Sequence, residues 1–286
     1  MVLIGAHTFA WSPSIQDQEL EQLFAKLKTS QIDFIELASY DLVGLTVQKV
    51  KELSELYAIP VTLCSGLPNG WNLASKDAGN RQKAKDHVRH LLDFANECGA
   101  TKVSGPIHGD LSAPPTSIPS DDATKRLVES YQDLRDAIQQ SKCIYSIEPL
   151  NRYQSNLLNT LEQAERLCAE INLQNFGILV DLFHANIEQG SLYKDLESHR
   201  DYTTHIHISG ANRGELGVCH LDWEQIIKWL NRFPSTMTAS IETFDAENTI
   251  TAQRTRTWRC LGKKPEAIVL DGAIWLKEKT GKSPPK

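Results

Sequence analysis

The sequence has no long uncharged apolar run, no basic excess and no paired-cysteine motif, and each absence removes a class of function. A membrane-spanning helix needs about 18 or more consecutive apolar residues, so no membrane partner is expected. Lysine and arginine number 30 against 36 aspartate and glutamate, a formal net charge of −6. A protein that grips phosphate backbones carries the opposite sign, so no nucleic-acid partner is expected. Six cysteines (Cys64, Cys98, Cys143, Cys168, Cys219 and Cys260) occur without a C-x-x-C spacing. They read as free thiols in a reducing cytoplasm. The N-terminal MVLIGAHTFAWS lacks a basic leader region and reads as a first strand rather than a signal peptide. There is no solenoid-type repeat and no low-complexity tract.

What is present is alternation. The 286 residues are 41% hydrophobic and 23% charged, ordinary globular composition. Short β-rich runs are predicted at Val2–Thr8, Asp33–Leu37, Pro60–Cys64, Lys102–Pro106, Ile144–Glu148, Gly177–Asp181, Thr204–Ile208 and Met237–Glu242. Helical patterns fall between and after them, at Asp17–Lys28, Val47–Tyr57, Asn80–Cys98, Asp121–Gln140, Leu161–Glu170, Leu192–Glu197, Asp222–Asn231 and Lys264–Lys279. Eight strand–helix units of α/β type predict one closed (β/α)8 barrel over residues 1–279, with residues 280–286 as a short flexible tail. The runner-up is an open doubly wound sheet, and the missing G-x-G-x-x-G in the first strand–helix turn counts against its dinucleotide-binding form. Longer connections at Ser65–Asp77, Ile107–Ser120, Asn151–Asn159, Ser209–Leu221 and Thr243–Cys260 follow strand C-termini, where a barrel builds its binding face.

Four of the strand ends carry one ligand-type side chain each: Glu148 in YSIEPLNRY, Asp181 in GILVDLFHANIE, His207 in TTHIHISGANR and Glu242 in ASIETF. Buried acids are rare unless paired or ligating. Strands five to eight are neighbours around a barrel mouth, so these groups converge there. Three carboxylates with one imidazole suit Mn²⁺, Mg²⁺ or Co²⁺ better than a structural zinc. His205 and His207 face the same side of one strand. His207, nearer the mouth, is taken as the ligand and His205 as a core or supporting histidine, with the swapped assignment left open. Phe9, Trp11, Trp71 and Trp258 are candidate pocket walls, because apolar sugar faces pack on aromatic rings. His7 and His108 read as supporting residues.

These segments together resemble the xylose-isomerase-like TIM-barrel superfamily of sugar isomerases and epimerases, most closely its ketose 3-epimerase branch of the tagatose/psicose type. The resemblance is carried by IEPLNRY with LLNT, VDLFHANIE, HIHISGANRG with HLDW, IETF and the late TWR. It implies a divalent ion, typically Mn²⁺, on Glu148, Asp181, His207 and Glu242, with Glu148 and Glu242 also serving as the acid/base pair. It further implies substrate contacts by His184 and Arg213, and places Glu36 in FIEL as a candidate contact. It also implies a homo-oligomer, a dimer or tetramer. One departure stands out: the family's EPLNR-(aromatic)-E reads EPLNRYQ here, so Gln154 replaces a glutamate that helps hold sugar hydroxyls.

The implied chemistry is proton transfer through a metal-stabilised enediolate of a ketose, with C3 epimerisation favoured. Ketose/aldose or hydroxypyruvate-like isomerisation, dehydration of an inosose-like polyol and endonuclease IV-like metal hydrolysis are the alternatives. The loops after strands seven and eight lack a glycine-rich turn leading into a helix, so an unphosphorylated small sugar is expected.

Overall fold

The computed structural model describes residues 2–112 and 114–281. Eight strands form a ring: β1 (Leu3–His7), β2 (Phe34–Ala38), β3 (Val61–Cys64), β4 (Lys102–Gly105), β5 (Ile144–Ile147), β6 (Phe176–Asp181), β7 (Thr203–Ile208) and β8 (Thr238–Ile241). They follow chain order around a closed barrel, and the pair that closes it, β1 with β8, is parallel like the rest. Both faces of each strand are covered, which is why these runs are nearly all apolar. The doubly wound alternative is therefore excluded.

Among the described residues ten α-helices accompany them: α1 (Asp17–Lys28), α2 (Val47–Tyr57), α3 (Ala78–Cys98), α4 (Asp121–Gln140), α5 (Leu161–Ile171), α6 (Leu182–Glu188), α7 (Leu192–Ser198), α8 (Trp223–Leu230), α9 (Thr249–Thr255) and α10 (Pro265–Thr280). Helix α1 shows the common design. Leu20, Leu23, Phe24 and Leu27 face the barrel, acids sit in its first turn and lysines in its last, complementing the helix dipole. Two helices were not visible as periodic patterns. α6 starts directly from β6, with Asp181 as both strand end and N-cap. α9 lies inside what reads as the long loop Thr243–Cys260. At the far end Thr280 still belongs to α10 and Gly281 caps it; the rest of the expected tail, 282–286, lies outside the described residues, as does Ala113 of the third long loop.

Closure depends on contacts between the two ends of the chain. Lys277 of α10 pairs with Asp33 Oδ1 at 2.8 Å, while Asp33 Oδ2 accepts from the backbone N–H of Ile4 at 2.9 Å.

One irregularity shapes the interior. Between β6 and β7, Ile178 pairs with Thr203 and Leu179 with His205, so Thr204 is an extra residue. Such a bulge re-aims the side chains that follow it. The Thr204 carbonyl accepts from the buried Lys102 ammonium, and its hydroxyl shares a 2.8 Å hydrogen bond with Ser146. His205 and His207 both then project into the barrel and are fully buried. At the mouth, Gly105 has φ +123°, and a Cβ there would meet the Ser65 carbonyl oxygen at 2.1 Å. Only glycine permits that approach.

Candidate metal centre

Four side chains meet at the C-terminal mouth. Glu148 directly follows β5, and its N–H donates to the Gly105 carbonyl at 3.1 Å. Asp181 ends β6, His207 lies near the end of β7, and Glu242 directly follows β8. One ligand atom from each lies within 4.8 Å of all the others. His207 Nδ1 is 3.4 Å from Glu242 Oε2, 3.8 Å from Asp181 Oδ2 and 3.9 Å from Glu148 Oε1. His207 Nδ1 is buried without a hydrogen-bond partner, although buried polar atoms are normally satisfied. Three carboxylates gathered around that imidazole fit a hard divalent cation, and His207 rather than His205 belongs to this group.

Below the centre, Glu36 is fully buried. Its Oε2 lies 3.1 Å from His207 Nε2 and its Oε1 3.0 Å from His205 Nε2. The Ser104 hydroxyl donates to Oε1 at 2.8 Å. His205 Nδ1 in turn stands 2.7 Å from the Thr238 hydroxyl.

Above it lies Arg213. Its Nη1 is 2.6 Å from Asp181 Oδ2 and 2.5 Å from Glu242 Oε2. The guanidinium is held between the rings of Phe183 and Phe244, at 4.5 and 5.1 Å from their centroids. Arg213 has φ +67°, a strained value for a side-chain-bearing residue. The Thr243 hydroxyl fixes that turn by donating to the Arg213 carbonyl at 2.7 Å. The acids nearby in the chain are engaged elsewhere: Glu215 pairs with Lys263, and Asp222 caps α8. His184 Nδ1 accepts from the Asn151 backbone N–H at 3.1 Å, and its Nε2 stands 3.1 Å from Arg213 Nη2. Nε2 also lies 3.8 Å from Glu148 Oε1 and 3.9 Å from Asp181 Oδ2.

Crowding divides the charges. Burial pushes the Glu148 carboxyl well above the usual range, with Glu242 and Asp181 adding to the rise. Burial also acts to raise Asp181, but Arg213, His184 and His207 hold it well below. Glu242 is likewise kept low against burial by Arg213, His207 and His7. Burial pushes His184 and His7 down to about 4, so both rings are neutral near pH 7.

Glu148, Glu242, His184, Arg213 and Gln154 line one pocket together with Phe9, Tyr40, Phe244 and Arg254. Gln154 Nε2 donates to the Thr255 carbonyl at 3.3 Å. Glu36, a candidate sugar contact on sequence grounds, does not line it, because both its oxygens are taken inside the barrel. Of the four candidate wall aromatics only Phe9 lines the pocket. Trp11 donates its indole N–H to Glu266 at 3.1 Å, Trp71 packs edge-on against His87, and Trp258 is 67% exposed. His7 Nε2 approaches Glu242 Oε1 at 3.5 Å, and His108 donates to the Glu148 carbonyl at 3.2 Å. Tyr40, Phe244 and Arg254 were not foreseen. Tyr40 stands two residues beyond β2 and Phe244 three beyond β8, positions that signal the mouth; Arg254, on α9, has no comparable signal.

Comparison with known proteins agrees with this geometry. The family model described as xylose isomerase-like TIM barrel matches residues 24–279. The chain is 28% identical over 280 residues to a Synechocystis sp. protein named probable ketose 3-epimerase, covering 97% of this chain and 96% of that protein. It is 26% identical over 267 residues to L-ribulose 3-epimerase of Mesorhizobium japonicum, covering 91% of this chain and 88% of the other. The solved D-allulose 3-epimerase from Methylomonas sp., in complex with D-allulose, shares the fold with a TM-score of 0.90 at 22% identity, over 97% of each chain.

Proposed function

The chain belongs to the xylose isomerase-like TIM barrel family, and from that premise we propose that it is a divalent-metal-dependent sugar epimerase that inverts C3 of a small ketose. The observation that carries this is the buried convergence of Glu148, Asp181, His207 and Glu242, with one ligand atom of each within 4.8 Å of the others. The names of the ketose 3-epimerase relatives support the same activity. Those four residues would hold the ion, with Mn²⁺ the preferred choice and Mg²⁺ or Co²⁺ able to take the same donors.

When bound, the ion would polarise the ketose carbonyl and stabilise the negative charge that develops as the adjacent C–H bond breaks. The protein supplies the proton traffic. Glu148 and Glu242 reach the pocket from different sides of the mouth. One removes the C3 proton at a carboxylate oxygen, and the other returns a proton to the opposite face. His184 contacts a sugar oxygen from the pocket wall. The Arg213 fork orients neighbouring hydroxyls. Gln154 offers a donor and an acceptor where the family has a charge. Phe9 and Phe244 cover apolar C–H faces and exclude water. All six cysteines are free, which suits the reducing cytoplasm that we propose as its compartment.

Gln154 favours a second reading, ketose–aldose isomerisation, in which the proton returns to the neighbouring carbon. Incubation with Mn²⁺ and a ketose in D₂O, followed by NMR, separates the two. Deuterium at an inverted C3 supports epimerisation. Deuterium at C1 or C2 with aldose formed supports isomerisation. No exchange in any ketose by ion-loaded protein counts against both.

A further inference from the structure

We infer that Glu36 is a positioning residue: it holds the proton of His207 on Nε2 and thereby keeps Nδ1 as the atom offered to the ion. The inference rests on the metal-dependent reading above.

The geometry is one of forced donors and acceptors. An ionised carboxylate has only lone pairs, so the 3.1 Å contact to Glu36 Oε2 requires N–H at His207 Nε2. In the neutral ring that a bound cation requires, the opposite nitrogen, Nδ1, then carries the lone pair. It faces three carboxylate oxygens at 3.4, 3.8 and 3.9 Å, the groups that would share the ion.

The carboxylate cannot turn away from this task. Its other oxygen, Oε1, is held by His205 Nε2 at 3.0 Å and by the Ser104 hydroxyl at 2.8 Å. His205 is oriented in turn by Thr238, whose hydroxyl lies 2.7 Å and carbonyl 3.1 Å from Nδ1. Glu36, Ser104, His205 and His207 are all 0% exposed, so no water competes for these bonds. The four residues come from β2, β4 and β7, with Thr238 from β8. Both histidines follow the bulge at Thr204 and share one face of β7. A buried acid is costly to keep. Here it touches no lysine or arginine among the described residues, and its contacts are those that orient a ligand. An outer carboxylate of this kind fixes a ligating ring and raises its basicity.

The test is Glu36→Gln with Mn²⁺ affinity measured by chelator competition, in the absence of sugar. Glutamine keeps the shape, but its NH₂ must face one of the two rings. Facing His207, it drives the proton to Nδ1; facing His205, it leaves His207 without an anionic partner. Mn²⁺ affinity is expected to fall about 10- to 100-fold with all four ligands intact. A folded variant that binds Mn²⁺ like the wild type overturns the inference while leaving the metal reading in place. Failure of the wild-type chain to bind Mn²⁺ overturns both. Should the variant not fold, nitrogen NMR of histidine-labelled wild-type protein loaded with Mg²⁺ decides the matter. His207 protonated on Nε2 alone supports the assignment, and a proton on Nδ1 overturns it.

Discussion

Asp181 turns one carboxylate oxygen toward His207 and the other into its own helix. Oδ2 stands 3.8 Å from His207 Nδ1, while Oδ1 accepts from the backbone N–H groups of Phe183 and His184 at 2.7 and 3.4 Å. The two tasks are separable. Asparagine caps helices as well as aspartate does. Asp181→Asn should therefore keep the cap, with its metal-free stability loss confined to the ion pair with Arg213, yet lose Mn²⁺ affinity by more than about 100-fold, beyond the range seen for a supporting residue. Asp181→Ala should lose the affinity and about 1 kcal/mol of stability besides. Denaturant melts and chelator titrations of both variants make the comparison; equal Mn²⁺ affinity in Asp181→Asn and wild type would remove Asp181 from the ligand set.

Arg213 supplies the positive charge nearest Asp181 and Glu242. Removing one member of such a buried group leaves the others uncompensated, at a cost of about 3–5 kcal/mol. Arg213→Met should accordingly be destabilised when metal-free. It should gain more in melting temperature from Mn²⁺ than the wild type gains, because the ion replaces the missing cation. kcat/KM on a ketose should fall about 100-fold or more, as when a positioned charge donor is lost. Identical Mn²⁺-induced shifts in the two proteins would argue against this account.

Gln154 is the position at which the pocket departs from the epimerase motif. A carboxylate bonds hydroxyls more strongly than an amide does. Gln154→Glu should raise kcat/KM for C3 epimerisation by about tenfold, equivalent to 1.4 kcal/mol. The variant also gives up the donor to the Thr255 carbonyl. Steady-state kinetics on a ketose panel tests it, and unchanged KM and kcat throughout would mean that the sugar does not reach residue 154.

Lys102 is buried beside the bulge, and burial pushes its ammonium down to about 8. The unfolded chain holds that proton up to about 10.4. Between these values the unfolded state binds more protons, so this lysine's contribution to stability rises with pH. Below about 8 its penalty is fully present; it fades as pH climbs through that window. Lys102→Met removes the titration. Its stability relative to wild type should therefore fall by about 3 kcal/mol between pH 7 and pH 10. Paired urea melts at the two pH values measure this, and a pH-independent difference would show that Lys102 does not titrate there.

The strand ends were legible because each acid interrupts an apolar run. Glu148, Asp181 and Glu242 stand out against neighbours such as Ile147, Val180 and Ile241, all fully buried. The barrel itself followed from eight such runs alternating with helical periods. α6 was not separable, because Asp181 ends one element and begins the next without a loop between them. The aromatics misled for a different reason. Trp11, Trp71 and Trp258 lie on loops that follow strands, but nothing local sets which way a loop side chain points.

By itself the sequence determined the order of elements, the strand ends and the chemical types gathered at the mouth, because strand and helix periods and the pleat are local properties of the chain. Only the tertiary structure decided which of these groups touch. Glu36 meets His205 and His207 across 169 and 171 residues of chain, and Arg213 enters the acid cluster through a strained turn held by Thr243. Such partnerships depend on barrel closure, on the bulge at Thr204 and on the exclusion of water from the interior, conditions that exist only once all eight strands have come together.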